Sequence, residues 1–340
     1  MFAALIEKLV RHEDLTTEEA ARAMREVMEG RAAPSALAGL LAALVMKGER
    51  PEEIAGLAQT MREHAVALTT PPGEVFDTCG TGGDRSGTFN VSSAAAVVVA
   101  ACGVRVAKHG NRSVSSRCGS ADVFEQLGVN VTAPPLVVEQ TLRDANIAFF
   151  FAPTFHPSMK HAAPIRREMG IRTTFNLLGP LTNPAGATRQ IVGVPRPELT
   201  QVMARALMLL GSKRAWVVHG AGGIDEISTI GHTKVSECRD GAVHTFFIHP
   251  TEFGLAKATS ADLRGGDAVD NAAIIRTVFE GKAGPARDIV LLNAGAALLV
   301  AGRTASVREG VACAAAAIDS GAARDTLDRM VRSSQSEVVA

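Results

Sequence analysis

Gly80-Thr81-Gly82-Gly83-Asp84 sets three glycines within four positions, which removes Cβ atoms and exposes successive backbone N–H groups that can wrap an anion. Asn90, Ser92 and Ser93 fall at the start of the apolar run Ala94 to Cys102, where side-chain oxygens cap a helix and its N-terminus favours negative charge. A phosphate fits there. One strand later, the stretch Lys108 to Asp122 carries the cations Lys108, Arg112 and Arg117 and the hydroxyls of Ser113, Ser115, Ser116 and Ser120 between two apolar elements. A glycine loop by itself is common punctuation in α/β proteins. Two such loops on neighbouring strands imply a ligand with more than one phosphate.

Asp225 and Glu226 are the other chemical pair. They follow the apolar run Ala215 to Val218 and the loop Gly220 to Gly223, so adjacent carboxylates stand at the end of a strand. Oxygen-only ligands suit Mg²⁺, which keeps several waters and is shared between carboxylates and substrate phosphates. An Asp-Glu pair also caps helices or faces solvent, and the residues alone leave both readings open. His109 and His219 lack the spacing of a metal pair and are taken as loop hydrogen-bonding residues. Cys79 has no histidine near it in sequence and reads as a small buried thiol.

The order and spacing of Gly80 to Asp84 and Lys108 to Asp122 resemble the anthranilate phosphoribosyltransferases. So do His156 to His161, the helix of Arg166, Gly170 to Pro184 and His219 to Thr229, so the resemblance covers nearly the whole chain. It implies transfer of the phosphoribosyl group of 5-phosphoribosyl 1-pyrophosphate (PRPP) to the amino group of anthranilate, in tryptophan biosynthesis. It places PRPP on Gly80, Gly83, Asp84 and Thr88 of the first loop and on Asn90, Val91, Ser92 and Ser93 at the helix start. From the second loop it adds Lys108, His109, Gly110, Asn111, Arg112, Ser113, Val114, Ser115, Ser116 and Ser120. Anthranilate falls to Gly80, Asn111 and Arg166. The resemblance also implies Mg²⁺, two ions per active site, on Ser92, Asp225 and Glu226, and a homodimer formed through the helical domain.

Arg166 shows what the resemblance adds. Read alone, an arginine on an amphipathic helix is a solvated surface residue. The resemblance makes it the fork that grips the anthranilate carboxylate through parallel N–H···O bonds. For catalysis, the departing pyrophosphate calls for cations and N–H donors where negative charge accumulates, which points to Lys108 and the backbone from Gly80 to Asp84. The ribosyl centre is expected to pass through an oxocarbenium-like state, with the amine attacking from the opposite face. No enzyme nucleophile is needed. Arg85, directly after Asp84, departs from the small residue usual in the family.

These residues need a scaffold, and the patterning supplies one: an α/β protein with a small all-helical N-terminal domain and a large α/β domain, whose mainly parallel central sheet is flanked by helices. Residues 1–70 carry only helical patterns. Leu5, Ile6, Leu9 and Val10 form a stripe, Thr16 and Glu19 a capping box for a helix ending at Gly30, and Pro34 and Pro51 sit at helix starts. Residues 69–73 make a linker, and 74–340 form the PRPP-binding domain, with 165–185 packing back against the helices as a hinge. Within the large domain, strands are expected at 75–78, 104–107, 148–152, 189–194, 214–219 and 289–292, and a hairpin around Asp240-Gly241 between 234 and 249. The helix after Pro157 is expected to bury Met159, Ala163, Ile165 and Met169. Ligands of such a sheet bind at the carboxyl ends of its strands.

Composition excludes more than it identifies. The 340 residues balance 35 Lys and Arg against 35 Asp and Glu, so nothing suggests a nucleic-acid surface. The 5 cysteines show no paired spacing, which argues for reduced thiols. The N-terminus does not read as a signal peptide, and no uncharged run reaches membrane-spanning length, so a cytoplasmic enzyme is expected. Pyrimidine nucleoside phosphorylases share the two-domain plan, but match the glycine loop less well and usually carry an additional C-terminal domain. Nucleic-acid-binding relatives would show a basic groove and damaged substrate motifs.

Overall fold

In the computed structural model, residues 1–71, 73–113 and 117–336 are described. The sequence-predicted site positions Val114, Ser115 and Ser116, and Pro72 of the linker, lie outside them.

Helix starts are set by local chemistry in the first part of the chain. The helices are Phe2–Val10, Thr17–Met28, Pro34–Lys47 and Pro51–Glu63, the last two opening on proline, whose missing N–H costs nothing there. The Thr16 hydroxyl accepts from Glu19 N–H at 3.2 Å and the Glu19 carboxylate from Thr16 N–H at 2.9 Å, completing the expected capping box. Leu5 and Leu9 are buried, but Val10 is 68% exposed, so the expected stripe is narrower by that residue. Val10 ends its helix, where the chain turns away. Beyond the helices, Thr69 and Thr70 N–H donate to the buried Glu139 carboxylate at 2.7 and 3.0 Å, which anchors the extended connection.

Seven strands then form one sheet: β1 Phe76–Gly80, β2 Val106–Gly110, β3 Ile147–Phe151, β4 Arg189–Gly193, β5 Arg214–Gly220, β6 Thr233–Arg239 and β7 Ala242–Ile248. Their order is β3-β2-β1-β4-β5-β6-β7. The first five in sequence are parallel, and β6 and β7 add an antiparallel hairpin turned by Asp240 and Gly241 with φ of 52° and 75°. Because the chain leaves β1 for β2 and β3 and returns on its other side as β4, connections diverge between β1 and β4. That is the switch point of an open sheet, where a crevice forms at the carboxyl ends. Alternation along the strands separates two cores. Ile191, Trp216 and Val218 face one, with the helices Val91–Ala101 and Pro285–Val300. Val192, Ala215 and Val217 face the other, with the helix Leu199–Leu209 and the N-terminal helices.

One expected strand is a helix. Ile289 to Leu292 lie inside the helix Pro285–Val300, which is buried on nearly every side. A helix that is apolar all round has no stripe to show, so a four-residue apolar run within it looks like a buried strand. The segment after His156 also differs in detail. It is a 3₁₀ turn, Pro157–His161, then a short helix, Ala163–Met169, in which Met159, Ile165 and Met169 are half-buried while Ala163 is exposed. The helix lies on the rim of a cavity, so one side never closes over.

Candidate active site

The glycine loop leaves β1 at the switch point. Gly82 and Gly83 take φ of 65° and 80°, the left-handed region that favours glycine, and Arg85 follows at 56° with its side chain exposed. Asp84 accepts from the Ser86 hydroxyl at 2.5 Å, and Ser86 in turn meets the Thr88 hydroxyl at 3.0 Å. Asn90 stands at the N-cap of the helix Val91–Ala101, as expected, but it makes no side-chain cap bond. Its Oδ1 instead accepts from Asn271 Nδ2 at 2.9 Å. Val91 is buried, and the buried Ser93 hydroxyl has no partner among the described residues, which leaves a polar atom to spare at the helix start.

The second loop begins later than expected, because Lys108, His109 and Gly110 belong to β2 itself. Lys108 is 1% exposed and lies within electrostatic reach of the buried Asp77 and Glu226. Asp77 accepts from His109 N–H at 3.2 Å and from Asn183 Nδ2 at 2.8 Å, and Asn183 also donates to Ala107 O at 2.8 Å. This network fixes the strand that carries the lysine. Downstream, Asp122 gathers the loop by accepting from Ser113 and Gly119 N–H at 3.1 and 2.8 Å, while Ser120 Oγ donates to Asn111 O at 3.4 Å. Arg112 turns its guanidinium to Asp122 and Glu125, at 2.7 to 3.0 Å, so its charge is engaged within the loop.

Asp225 and Glu226 descend into the same crevice from β5. The Asp225 carboxylate accepts from Gly82 N–H at 2.9 Å and Glu226 from Ser92 N–H at 3.0 Å, so the three sequence-predicted ligands Ser92, Asp225 and Glu226 meet beside the glycine loop. Gly80 and Gly193 are register partners at the ends of β1 and β4. A Cβ at Gly80 would run into the Asp225 carboxylate, and one at Gly193 into the Asp225 carbonyl. The paired glycines make room for the acid. Burial pushes both carboxyls up; the neighbouring Asp84 charge adds to this at Asp225, and the Asp225 charge at Glu226, where Lys108 opposes it. Such carboxylates favour a cation. Among the described residues no three His, Cys, Asp or Glu side chains form a metal cage.

Beside the loops lies a cavity of about 510 Å³, and Gly80, Asn111 and Arg166 are all among the residues that line it. The Arg166 guanidinium sits 5.0 Å from the Phe175 ring centroid, and burial lowers its pKa below the usual arginine value. His109 and His156 line the same space with ring centroids 5.3 Å apart. His109 Nδ1 meets Gly179 O at 3.1 Å, His156 Nε2 meets Thr182 O at 2.9 Å, and burial pulls both imidazoles down, His109 to about 3. Both rings are therefore neutral at pH 7. His219, on β5, points to Val194 O at 2.9 Å and belongs to no metal cluster among the described residues. Cys79 is buried with its thiol pushed far up, as an inert thiol should be.

Sequence reasoning missed Arg172, Asn183 and Asn271. Arg172 Nη2 donates to Thr81 O at 3.2 Å and its guanidinium packs on Gly83, facing Asp225 and Asp84, with desolvation lowering its pKa. None of the three has a local signal, since each acts on a residue about 90 or more positions away.

Comparison with known proteins agrees with this geometry. A glycosyl transferase family model, helical bundle domain, matches residues 3–65, and the a/b domain model of the same family matches residues 72–324. The chain is 53% identical to the anthranilate phosphoribosyltransferase of Moorella thermoacetica over 97% of this chain and 98% of the relative. Its fold superposes on the anthranilate phosphoribosyltransferase of Thermus thermophilus with a TM-score of 0.91 and 45% identity, covering 98% of this chain and 99% of the other. The Saccharomyces cerevisiae protein of the same name, solved with PRPP and Mg, gives a TM-score of 0.89 at 29% identity over 99% of this chain and 98% of that one.

Proposed function

The chain belongs to the anthranilate phosphoribosyltransferases, and we propose that it performs their reaction with the loops and cavity at its switch point. It transfers the phosphoribosyl group of PRPP to the amino group of anthranilate, giving N-(5-phosphoribosyl)anthranilate and pyrophosphate in tryptophan biosynthesis. The observation that carries the residue assignment is Gly80. It ends β1, opens the glycine loop on one side and lines the cavity of Asn111 and Arg166 on the other. A donor on the loop and an acceptor in the cavity would meet there.

In this reading Gly83, Asp84, Thr88 and the start of the helix Val91–Ala101 hold the phosphates through N–H groups and hydroxyls, and Lys108 supplies a fixed charge. Arg172 steadies the glycine loop through Thr81 O. Arg166 takes the anthranilate carboxylate as a bidentate partner, and its stacking on Phe175 holds the fork in plane. Asn111 and Gly80 orient the amine toward the ribosyl carbon. With His109 and His156 neutral, no imidazolium competes for the carboxylate. The amine is itself neutral near pH 7, so its surplus proton leaves through water.

Asp225, Glu226 and the Ser92 hydroxyl would hold Mg²⁺, with two ions per site as our assignment. An ion held by these residues would supply positive charge against that of the departing pyrophosphate. Residues 1–70 and 74–340 act as two domains joined at 165–185, a reading supported by Thr174 Oγ1 donating to Glu49 at 3.0 Å and Arg62 Nε to Leu181 O at 2.6 Å. A cytoplasmic homodimer is expected, paired through the helical domain, where Met46 is 82% and Val10 68% exposed. Light scattering at twice the chain mass of 35.5 kDa tests the dimer. The reaction is tested by incubating purified protein with PRPP, anthranilate and Mg²⁺. Formation of phosphoribosylanthranilate with equimolar pyrophosphate is expected; its absence from folded protein would overturn the reading.

A further inference from the structure

Asp225 and Glu226 sit on a stretch, residues 221–232, that has neither helix nor strand, yet their carboxylates must point the same way at every turnover. The stretch is tied down on each side of the pair. Upstream, Gly220 N–H donates to Ile224 O at 2.9 Å. Farther along, Ser228 N–H donates to the Thr233 hydroxyl at 2.9 Å, and the Ser228 hydroxyl to Ala221 O at 2.8 Å. Directly after the pair, Ile227 is held by one side chain from a distant helix. Asn293 Oδ1 accepts from Ile227 N–H at 3.0 Å, and Asn293 Nδ2 donates to Ile227 O at 2.8 Å and to Ile289 O at 2.9 Å.

Asn293 is 3% exposed and lies in the helix Pro285–Val300 among Ile289, Val290, Leu291, Leu292 and Ala294. A carboxamide costs free energy in such surroundings unless its hydrogen bonds are made, and a helix packing on a loop does not require one. Here the oxygen and both amide hydrogens are engaged, and the amide spends an acceptor and a donor on the single residue that follows Glu226. It grips that residue as a neighbouring strand would, where no strand is available.

We propose that Asn293 is a positioning residue for the acidic pair: by clamping both backbone polar groups of Ile227 it fixes the direction in which Asp225 and Glu226 present their carboxylates to a divalent ion. The inference rests on the reading of that pair as the ion-holding site. Asn293 touches neither ion nor substrate, so it acts only through the backbone it holds. Residues that orient metal ligands in this way typically cost about 10- to 100-fold in metal affinity when replaced.

The test compares wild type, Asn293→Leu, Asn293→Asp and Asp225→Asn. Direct binding of Mn²⁺, in the presence of pyrophosphate, is followed by its spin-resonance signal, alongside KM for anthranilate and the thermal midpoint. Asn293→Leu removes the clamp at similar volume and is expected to weaken Mn²⁺ binding at least about tenfold. Asn293→Asp, which keeps the shape and the acceptor for Ile227 N–H, is expected to lose less, and KM for anthranilate should stay within about twofold. If Asn293→Leu does not fold, Asn293→Asp decides by the same affinity. Wild-type Mn²⁺ affinity in the Asn293 variants, with loss in Asp225→Asn, overturns the proposal and leaves the acidic-pair reading standing. Undiminished binding in Asp225→Asn as well overturns both.

Discussion

Asp225 and Glu226 are neighbours in the chain, but the groups that surround their carboxylates come from distant positions. The fold brings Gly82 N–H and Asp84 from the glycine loop, Ser92 N–H from the helix start and Lys108 from β2 to the pair, each more than 100 positions away. Burial and mutual repulsion then make the two charges costly without a cation. Replacing them together, Asp225→Asn with Glu226→Gln, preserves shape and removes charge, and is expected to lower turnover on the order of a hundredfold or more, with loss of the Mg²⁺ response. Turnover measured across a Mg²⁺ series checks this, and a wild-type response in the double variant would remove the pair from the site. Arg112 marks the opposite limit. Its place in a cationic loop suggested a phosphate contact, and only the structure shows Asp122 and Glu125 taking up its charge.

Among the elements, short β-branched and aromatic runs followed by glycine gave five parallel strands to within about 3 residues, a margin usual for element ends. The hairpin at Asp240-Gly241 was legible because two positive φ values need those residue types. The helix Pro285–Val300 was not, since burial on all sides erases its period. The close approach of β4 to the acidic pair also leaves no trace in the sequence, for Gly193 looks like any strand-ending glycine. Gly193→Ala would drive a methyl group into the Asp225 carbonyl, which is backbone and has little room to yield. We expect about 1 to 3 kcal/mol of lost stability from overpacking, and a loss of activity above tenfold as Asp225 shifts. Urea unfolding beside kcat/KM tests both; wild-type values would mean that the strand end relaxes freely.

At the scale of the molecule, a switch point between β1 and β4 explains why residues from 80 to 226 converge in one crevice. The same burial that shapes the crevice affects stability. Folded His109 stays neutral down to about pH 3, while unfolded His109 takes a proton below its ordinary value of 6.5. The unfolded state therefore binds more protons in that window, and this residue's contribution is complete above pH 6.5 and fades by up to about 1.4 kcal/mol per pH unit below it. The buried carboxyls, with raised values, contribute with the opposite sign. His109→Gln isolates the histidine: its unfolding free energy should fall less steeply than wild type between about pH 6.5 and about pH 4.5, whereas parallel profiles would mean that His109 is protonated in the fold.

The account turns on a division of labour, with the acceptor in the cavity of Arg166 and the donor on the loops around Gly80 and Lys108. Its most direct test is the pair of Michaelis constants of Arg166→Ala, measured for anthranilate and for PRPP at one fixed free Mg²⁺ concentration. Losing a charge-assisted bidentate contact costs about 1.5 to 3 kcal/mol, so KM for anthranilate should rise roughly tenfold to a hundredfold while KM for PRPP stays near wild type. Arg166→Lys should recover only part, because an ammonium keeps the charge without the planar fork. Unchanged anthranilate kinetics, or an equal loss for both substrates, would contradict the account and put the acceptor elsewhere.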